Sequence, residues 1–259
     1  MSEERSRSGA TVQRYGDTAA PKPVPPALPK YYDDIVHHLE TFLGPVENVY
    51  HEIVSDQVHL DILPFPPTDD RNFWTFVTCG TSSEPMMIPE GVDNPSSYER
   101  AEFVISLPAE WCGSGDPQQL GRNGKWWPIK ILKYAAHFPH LYRTWLWFGH
   151  TLAIEEEPEP LDDNTRFSAF FVAFPLGWPM EGVKMVARDG RPISFLSIIP
   201  LYTDELQFKL DKGTDALLGL FDKAGVNELL DPTRPSVVTT SPKRRMIKWS
   251  NLLSRKTRR

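Results

Sequence analysis

Apolar residues in this chain change their spacing from segment to segment, and each spacing predicts an element. In YYDDIVHHLETFLG, Tyr32, Ile35, Val36, Leu39, Phe42 and Leu43 recur at helical intervals. Asp33 and Asp34 suit the positive end of that helix, and Gly44-Pro45 stops it. The period then drops to two. In QVHLDIL (residues 57–63), Val58, Leu60 and Ile62 share one strand face, with His59 and Asp61 on the other. NFWTFVTC (72–79) is apolar on both faces, as in a strand within a covered sheet. RAEFVISL (100–107) alternates again, and residues 127–138 return to helical spacing through Trp127, Ile131, Tyr134, Ala135 and Phe138.

Residues 166–174 read as another buried strand. Residues 183–188 and 193–199 flank Asp189-Gly190, a hairpin signal. Thr203 and Thr214 open two further helices, the second ending near Gly225. Strands in a run with helices grouped around them predict an α+β fold: one domain with a mixed, mostly antiparallel sheet flanked by helices. The ordered domain is expected over residues 30–236. Residues 1–29, rich in Ser, Arg and Pro, are too poor in apolar area to offset their ordering entropy and are expected to be disordered. Residues 237–259 form a basic tail in which Met246, Trp249, Leu252 and Leu253 fall near one helical face. Such a tail suits an acidic partner or an anionic membrane surface.

Charge sharpens this division. All 34 acidic residues lie at or before Asp231 with 19 of the 28 basic ones, so the body carries −15 and the remainder +9. An acidic body favours basic protein partners and gives no reason to expect direct nucleic-acid binding by the domain. The longest apolar run, 167–178, is broken by Ser168 and Pro175 and is too short to span a bilayer. The first residues lack an apolar secretory core, and Cys79 and Cys112 form neither a CxxC pair nor a disulfide framework. A cytoplasmic protein is expected.

Few residues carry candidate chemistry. His59 and Asp61 project from one strand face, and with His150 brought near they would suit a metal-dependent hydrolase. No HExxH, nucleophile elbow or cysteine pair supports that alternative. His137 and His140 read as a solvated helix face and turn, His37 and His38 point apart, and no phosphate-binding glycine loop is present. The histidine- and tryptophan-rich stretch 133–151 reads as core, with His150 hydrogen-bonded to backbone near a turn. The run Glu155-Glu156-Glu157-Pro158-Glu159 reads as a solvated loop, or as a docking patch for a basic partner. No catalytic residue, metal or cofactor is expected.

Four blocks then carry a family resemblance: VHLDILPFPPTDDRNFWTFVTCGTSSEPM (58–86), YERAEFVISLPAEW (98–111), WWPIKILKYAAHFPHLYRTWLWFGHT (126–151) and PLYTDELQFKLDKGTDALLGLFDKAG (200–225). In order and spacing they resemble the suppressor-of-fused domain family, its bacterial members most of all. The resemblance implies a compact α/β domain without catalytic activity. Animal members bind a zinc-finger transcription factor, and bacterial members look like immunity proteins of polymorphic toxin systems. The family's Gly-Met-Ser turn stands here as Gly80-Thr81-Ser82. The segment after that turn contributes partner contacts in animal members. The resemblance therefore points to Glu84, Met86, Met87, Glu90, Asp93 and Tyr98 as partner-binding residues, the partner being another protein such as a basic toxin or effector.

Overall fold

The computed structural model describes residues 4–25, 27–46, 48–53, 55–112, 120, 125–155 and 158–238. The expected amphipathic helix in the tail, and Glu156-Glu157 of the acidic run, lie outside the described residues. The main sheet is built from β1 (Tyr50–His51), β2 (Asp61–Phe65), β3 (Phe73–Cys79), β4 (Ala101–Pro108), β5 (Thr151–Ala153), β6 (Ala169–Ala173), β7 (Lys184–Val186) and β8 (Pro192–Leu201). Its order is β1-β2-β3-β4-β8-β6-β5, with β7 on the free part of β8. Every pairing is antiparallel except β4 with β8, where Ala101–Val104 run alongside Ser194–Ser197. The fold is thus α+β with a mixed, mostly antiparallel sheet.

Four helices cover it: α1 (Tyr32–Leu43), α2 (Trp127–Leu141), α3 (Thr203–Lys212) and α4 (Thr214–Ala224). Residue parity assigns the faces. Leu196 and Ile198 of β8 pack with Phe76, Phe103, Ile105 and the apolar side of α2. Ile193 and Phe195 point the other way, to Ile35, Leu39 and Leu43 of α1. Ile199 and Leu201 on that same face meet Leu217, Leu218 and Phe221 of α4. The central strands are covered on both sides, and for that reason 72–79 and 166–174 read as continuous apolar runs.

Two boundaries differ from the pattern. The strand expected from Gln57 begins at Asp61, because Gln57 takes a left-handed φ of 67° and the chain turns there. α2 continues through Pro139 to Leu141, as the ring falls in its last turn. The segment expected to be disordered is described from residue 4 and lies along the body. Pro23–Val24 pairs with Ser55–Asp56, and Ala19 donates its N–H to the Leu141 carbonyl at 2.5 Å. Tyr15 packs on Phe138 and Tyr142, and its hydroxyl meets Thr144 Oγ1 at 2.9 Å. One aromatic anchor and borrowed backbone pairs supply what its composition lacks.

The C-terminal closure is ionic. Arg234 lies flat against both oxygens of buried Glu205, at 2.5 and 2.7 Å, and donates to the Pro200 carbonyl at 2.8 Å. Glu205 also accepts the N–H groups of Tyr202 and Val237. Among the described residues no helix is long and apolar enough to cross a membrane.

Candidate functional site

β3 ends at Cys79, and the chain turns sharply through Gly80–Ser83 before the long connection to β4. Gly80 has φ +138°, and a Cβ there would stand 2.1 Å from the His59 carbonyl oxygen, so the position requires glycine. Glu102 of β4, fully buried, reaches under the turn. Its Oε1 accepts the N–H of Gly80 at 3.0 Å, the N–H of Ser82 at 2.9 Å and the Ser82 hydroxyl at 2.5 Å. Its Oε2 accepts the Thr78 hydroxyl at 2.6 Å. Burial pushes the Glu102 carboxyl up from its ordinary range, and these four donors oppose that rise.

The carbonyls of the turn are met as well. Arg100 donates to the Ser82 and Ser83 carbonyls and lies over the Tyr31 ring. His140 meets the Thr81 carbonyl at 3.0 Å. Burial pushes His140 down to about 4, so it is neutral and donates one N–H. The Arg-Ala-Glu triplet of the resemblance is therefore the support of a rigid turn.

The six residues expected to contact a partner divide. Glu84, Met87, Glu90 and Asp93 are exposed, Met87 to 58%. Met86 is 3% exposed in the main core, so it is removed from the candidate surface: its side chain fills space beneath the loop. Tyr98 is half-buried, edge-on to Trp145 and Trp147 at ring distances of 6.2 and 5.0 Å. The loop is tied at two points, Met86 N–H to the Glu99 carbonyl at 2.7 Å and Met87 N–H to the Thr144 carbonyl at 3.1 Å.

The histidine–aspartate pair lies beside the turn, at the β1–β2 edge. His59 Nε2 is 3.2 Å from Asp61 Oδ1. The third member is His51, whose Nδ1 meets the same oxygen at 2.9 Å. His51 sits opposite Asp61 in the β1–β2 register, so the two share a sheet face, and His59 reaches them from the turn just before β2. His150 is elsewhere. It precedes β5, at the opposite edge of the sheet, where its Nδ1 accepts the Trp147 N–H at 3.3 Å and its ring packs on Trp145. Burial, with Lys209 adding to it, lowers His150 to about 4. The hydrolase trio of His59, Asp61 and His150 is not assembled.

Ser55 approaches His59 Nδ1 at 3.1 Å, which gives the residue types of a Ser-His-Asp relay. Its hydroxyl hydrogen, however, goes to Glu52 Oε2 at 2.9 Å, and Ser55 is buried, so it is no nucleophile. Glu52 in turn pairs with Lys133 Nζ and with His137 Nε2 at 3.0 Å. Burial alone would raise the Glu52 carboxyl; its contacts with His137 and Lys133 overcome that and hold it at about 2. His137 and His140 thus tie α2 to the sheet, where the sequence suggested a solvated face.

Comparison with known proteins follows this geometry. A search of curated protein sequences gave no match. Among solved structures, a suppressor-of-fused homologue of Neisseria gonorrhoeae superposes with TM-score 0.55 at 18% identity, over 82% of this chain and 98% of that one. A chain of the crystallised Sufu–Fu complex gives 0.54 at 17%, over 83% and 93%. Drosophila Suppressor of Fused gives 0.55 at 14%, over 83% of this chain and 52% of its own. At these identities the likeness is one of fold. The family model for Suppressor of fused protein (SUFU) matches residues 56–235, from the start of the β2 approach to the Arg234 closure, and the chain belongs to that family.

Proposed function

We propose that this chain is a non-enzymatic, cytoplasmic protein-binding domain that neutralises a partner by direct contact, in the manner of an immunity protein against a basic toxin. The observation that carries this reading is the exposed set Glu84, Met87, Glu90 and Asp93 on a connection whose base is fixed by Glu102, Arg100 and His140. A loop held at its base loses little further entropy on docking. Methionine adapts to an apolar patch, while carboxylates steer a cationic surface. The body's net charge of −15 adds a long-range field of the same sign. A crystallised Sufu–Fu complex shows that a relative of this fold engages a protein.

The test uses untagged full-length protein immobilised as bait in native extract at low and moderate salt, beside a Glu84→Lys/Glu90→Lys/Asp93→Lys variant. One basic partner held by the wild type, released by salt and missed by the variant supports the reading. The same partner held equally by the variant refutes the surface.

A further inference from the structure

The β1–β2 edge carries a group of ligand atoms that the partner surface does not use. His51 Nδ1, His59 Nε2 and a carboxylate oxygen of Asp61 all lie within 4.8 Å of one another. Ligands about 2.1 Å from a tetrahedral zinc stand roughly 3.4 Å apart, so the observed 2.9 and 3.2 Å need only small adjustment. Asp61 is 0% exposed, and its second oxygen, Oδ2, has no hydrogen-bond partner. A buried carboxylate with an unmet oxygen is costly unless a cation answers it.

The hydrogen bonds around His59 orient its ring toward the same point. Ser55 gives its one hydroxyl hydrogen to Glu52. Toward His59 Nδ1 it therefore offers a lone pair, so that nitrogen carries the hydrogen. Nε2 is then the ring nitrogen left to face Asp61 Oδ1, at 3.2 Å. The Glu52–Ser55–His59 chain is the outer support that ligating histidines commonly have.

We propose that His51, His59 and Asp61 bind one divalent transition-metal ion of the zinc class. Two imidazoles and one carboxylate suit zinc, cobalt, nickel or copper, while magnesium and calcium prefer all-oxygen shells. The His51 side chain is 60% exposed, so the outward coordination position opens to solvent, for water or a partner's donor group. The site joins an edge strand of two residues to its neighbour, and so would hold the β1–β2 hairpin in register.

The test takes untagged full-length protein stripped with chelator and titrates it with zinc by calorimetry, with visible spectra of the cobalt form as a second readout. One ion per chain is expected, with cobalt bands of a nitrogen–oxygen site. His51→Ala, at an exposed position, should abolish stoichiometric binding while circular dichroism stays native. Ser55→Ala should weaken binding by about 10- to 100-fold through the lost support of His59. Absence of zinc uptake by the wild type overturns the proposal, as does unchanged affinity in a folded His51→Ala protein. A His59 ring whose nitrogen NMR signals do not change when zinc is added also overturns it.

Discussion

Replacing Glu102 by alanine tests how the turn after β3 is held. The change removes the acceptor of two backbone N–H groups, on Gly80 and Ser82, inside a turn that is otherwise buried. Each buried donor left without a partner costs about 1–3 kcal/mol, so the pair costs about 2–6 kcal/mol. The lost methylene packing adds about 1 kcal/mol. The hydroxyls of Thr78 and Ser82 can rotate to other acceptors and are left out of the sum. Against a domain stability of about 5–15 kcal/mol, Glu102→Ala brings the protein to the edge of unfolding. Glu102→Gln differs sharply. Its amide oxygen can stay where Oε1 receives three donors, and its NH₂ can donate to Thr78 Oγ1, whose hydrogen is then free to turn away. It also removes a buried charge, so a change within about 1 kcal/mol is expected. Urea unfolding followed by fluorescence of the eight tryptophans measures both variants. A Glu102→Ala protein within 1 kcal/mol of wild type would falsify the view that this carboxylate holds the turn.

Other outcomes follow from the same geometry. Gly80→Ala drives a methyl into the His59 carbonyl oxygen at 2.1 Å and should cost about 3 kcal/mol or more. Gly91→Ala, where nothing lies within 4 Å, should cost only the roughly 1–2 kcal/mol of a left-handed residue; equal melting points for the two would refute the contact argument. Acid should destabilise the fold through His140 and His150. Both are depressed to about 4 when folded, so the unfolded chain binds more protons between about 6.5 and 4, and stability falls as pH drops through that window. Glu102 and Glu228, raised by burial, pull the opposite way above the ordinary carboxylate range. His140→Gln should flatten the slope by up to about 1.4 kcal/mol per pH unit, and an unchanged slope in urea titrations would contradict the assignment. Arg234→Ala leaves Glu205 buried and unpaired and should cost about 3–5 kcal/mol, whereas Arg234→Met with Glu205→Gln should recover part of it.

The fold was legible in the sequence wherever one physical rule governed a segment. Period two wrote the alternation of 100–107, unbroken apolarity wrote the covered strands, and Asp189-Gly190 wrote the β7–β8 hairpin, with Gly190 at φ +82°. The site was legible only in part. His59 and Asp61 stand two apart in an alternating stretch, so pleating predicts their common side, and they do meet although the strand itself begins only at Asp61. His51 is not so predicted, because its place depends on the β1–β2 register across a nine-residue connection, and local spacing carries no such information. His150 looked equally available as a third ligand, yet strand order sends it to the far edge of the sheet. Met86 and Met87 are neighbours of the same type with backbone ties to Glu99 and Thr144, and local sequence carries no signal that the first is buried and the second exposed.

The polar stripe of α2 shows why such readings fail in one direction. Lys133, His137 and His140 lie three and four residues apart on one helical face, which in sequence is the mark of a solvated side. A polar stripe faces water only when the element opposite has no complementary groups. Here the β1 end presents Glu52, and the turn after β3 presents the Thr81 carbonyl. Both are non-local, so the helix alone could not reveal them. The result is a helix attached to the sheet by its apolar face and stitched along its flank by one carboxylate and one carbonyl. The β1–β2 hairpin and the loop after β3, although separate in sequence, are braced by the same fifteen-residue helix. That common brace, more than any single ligand or contact, is what sets the geometry of this end of the molecule.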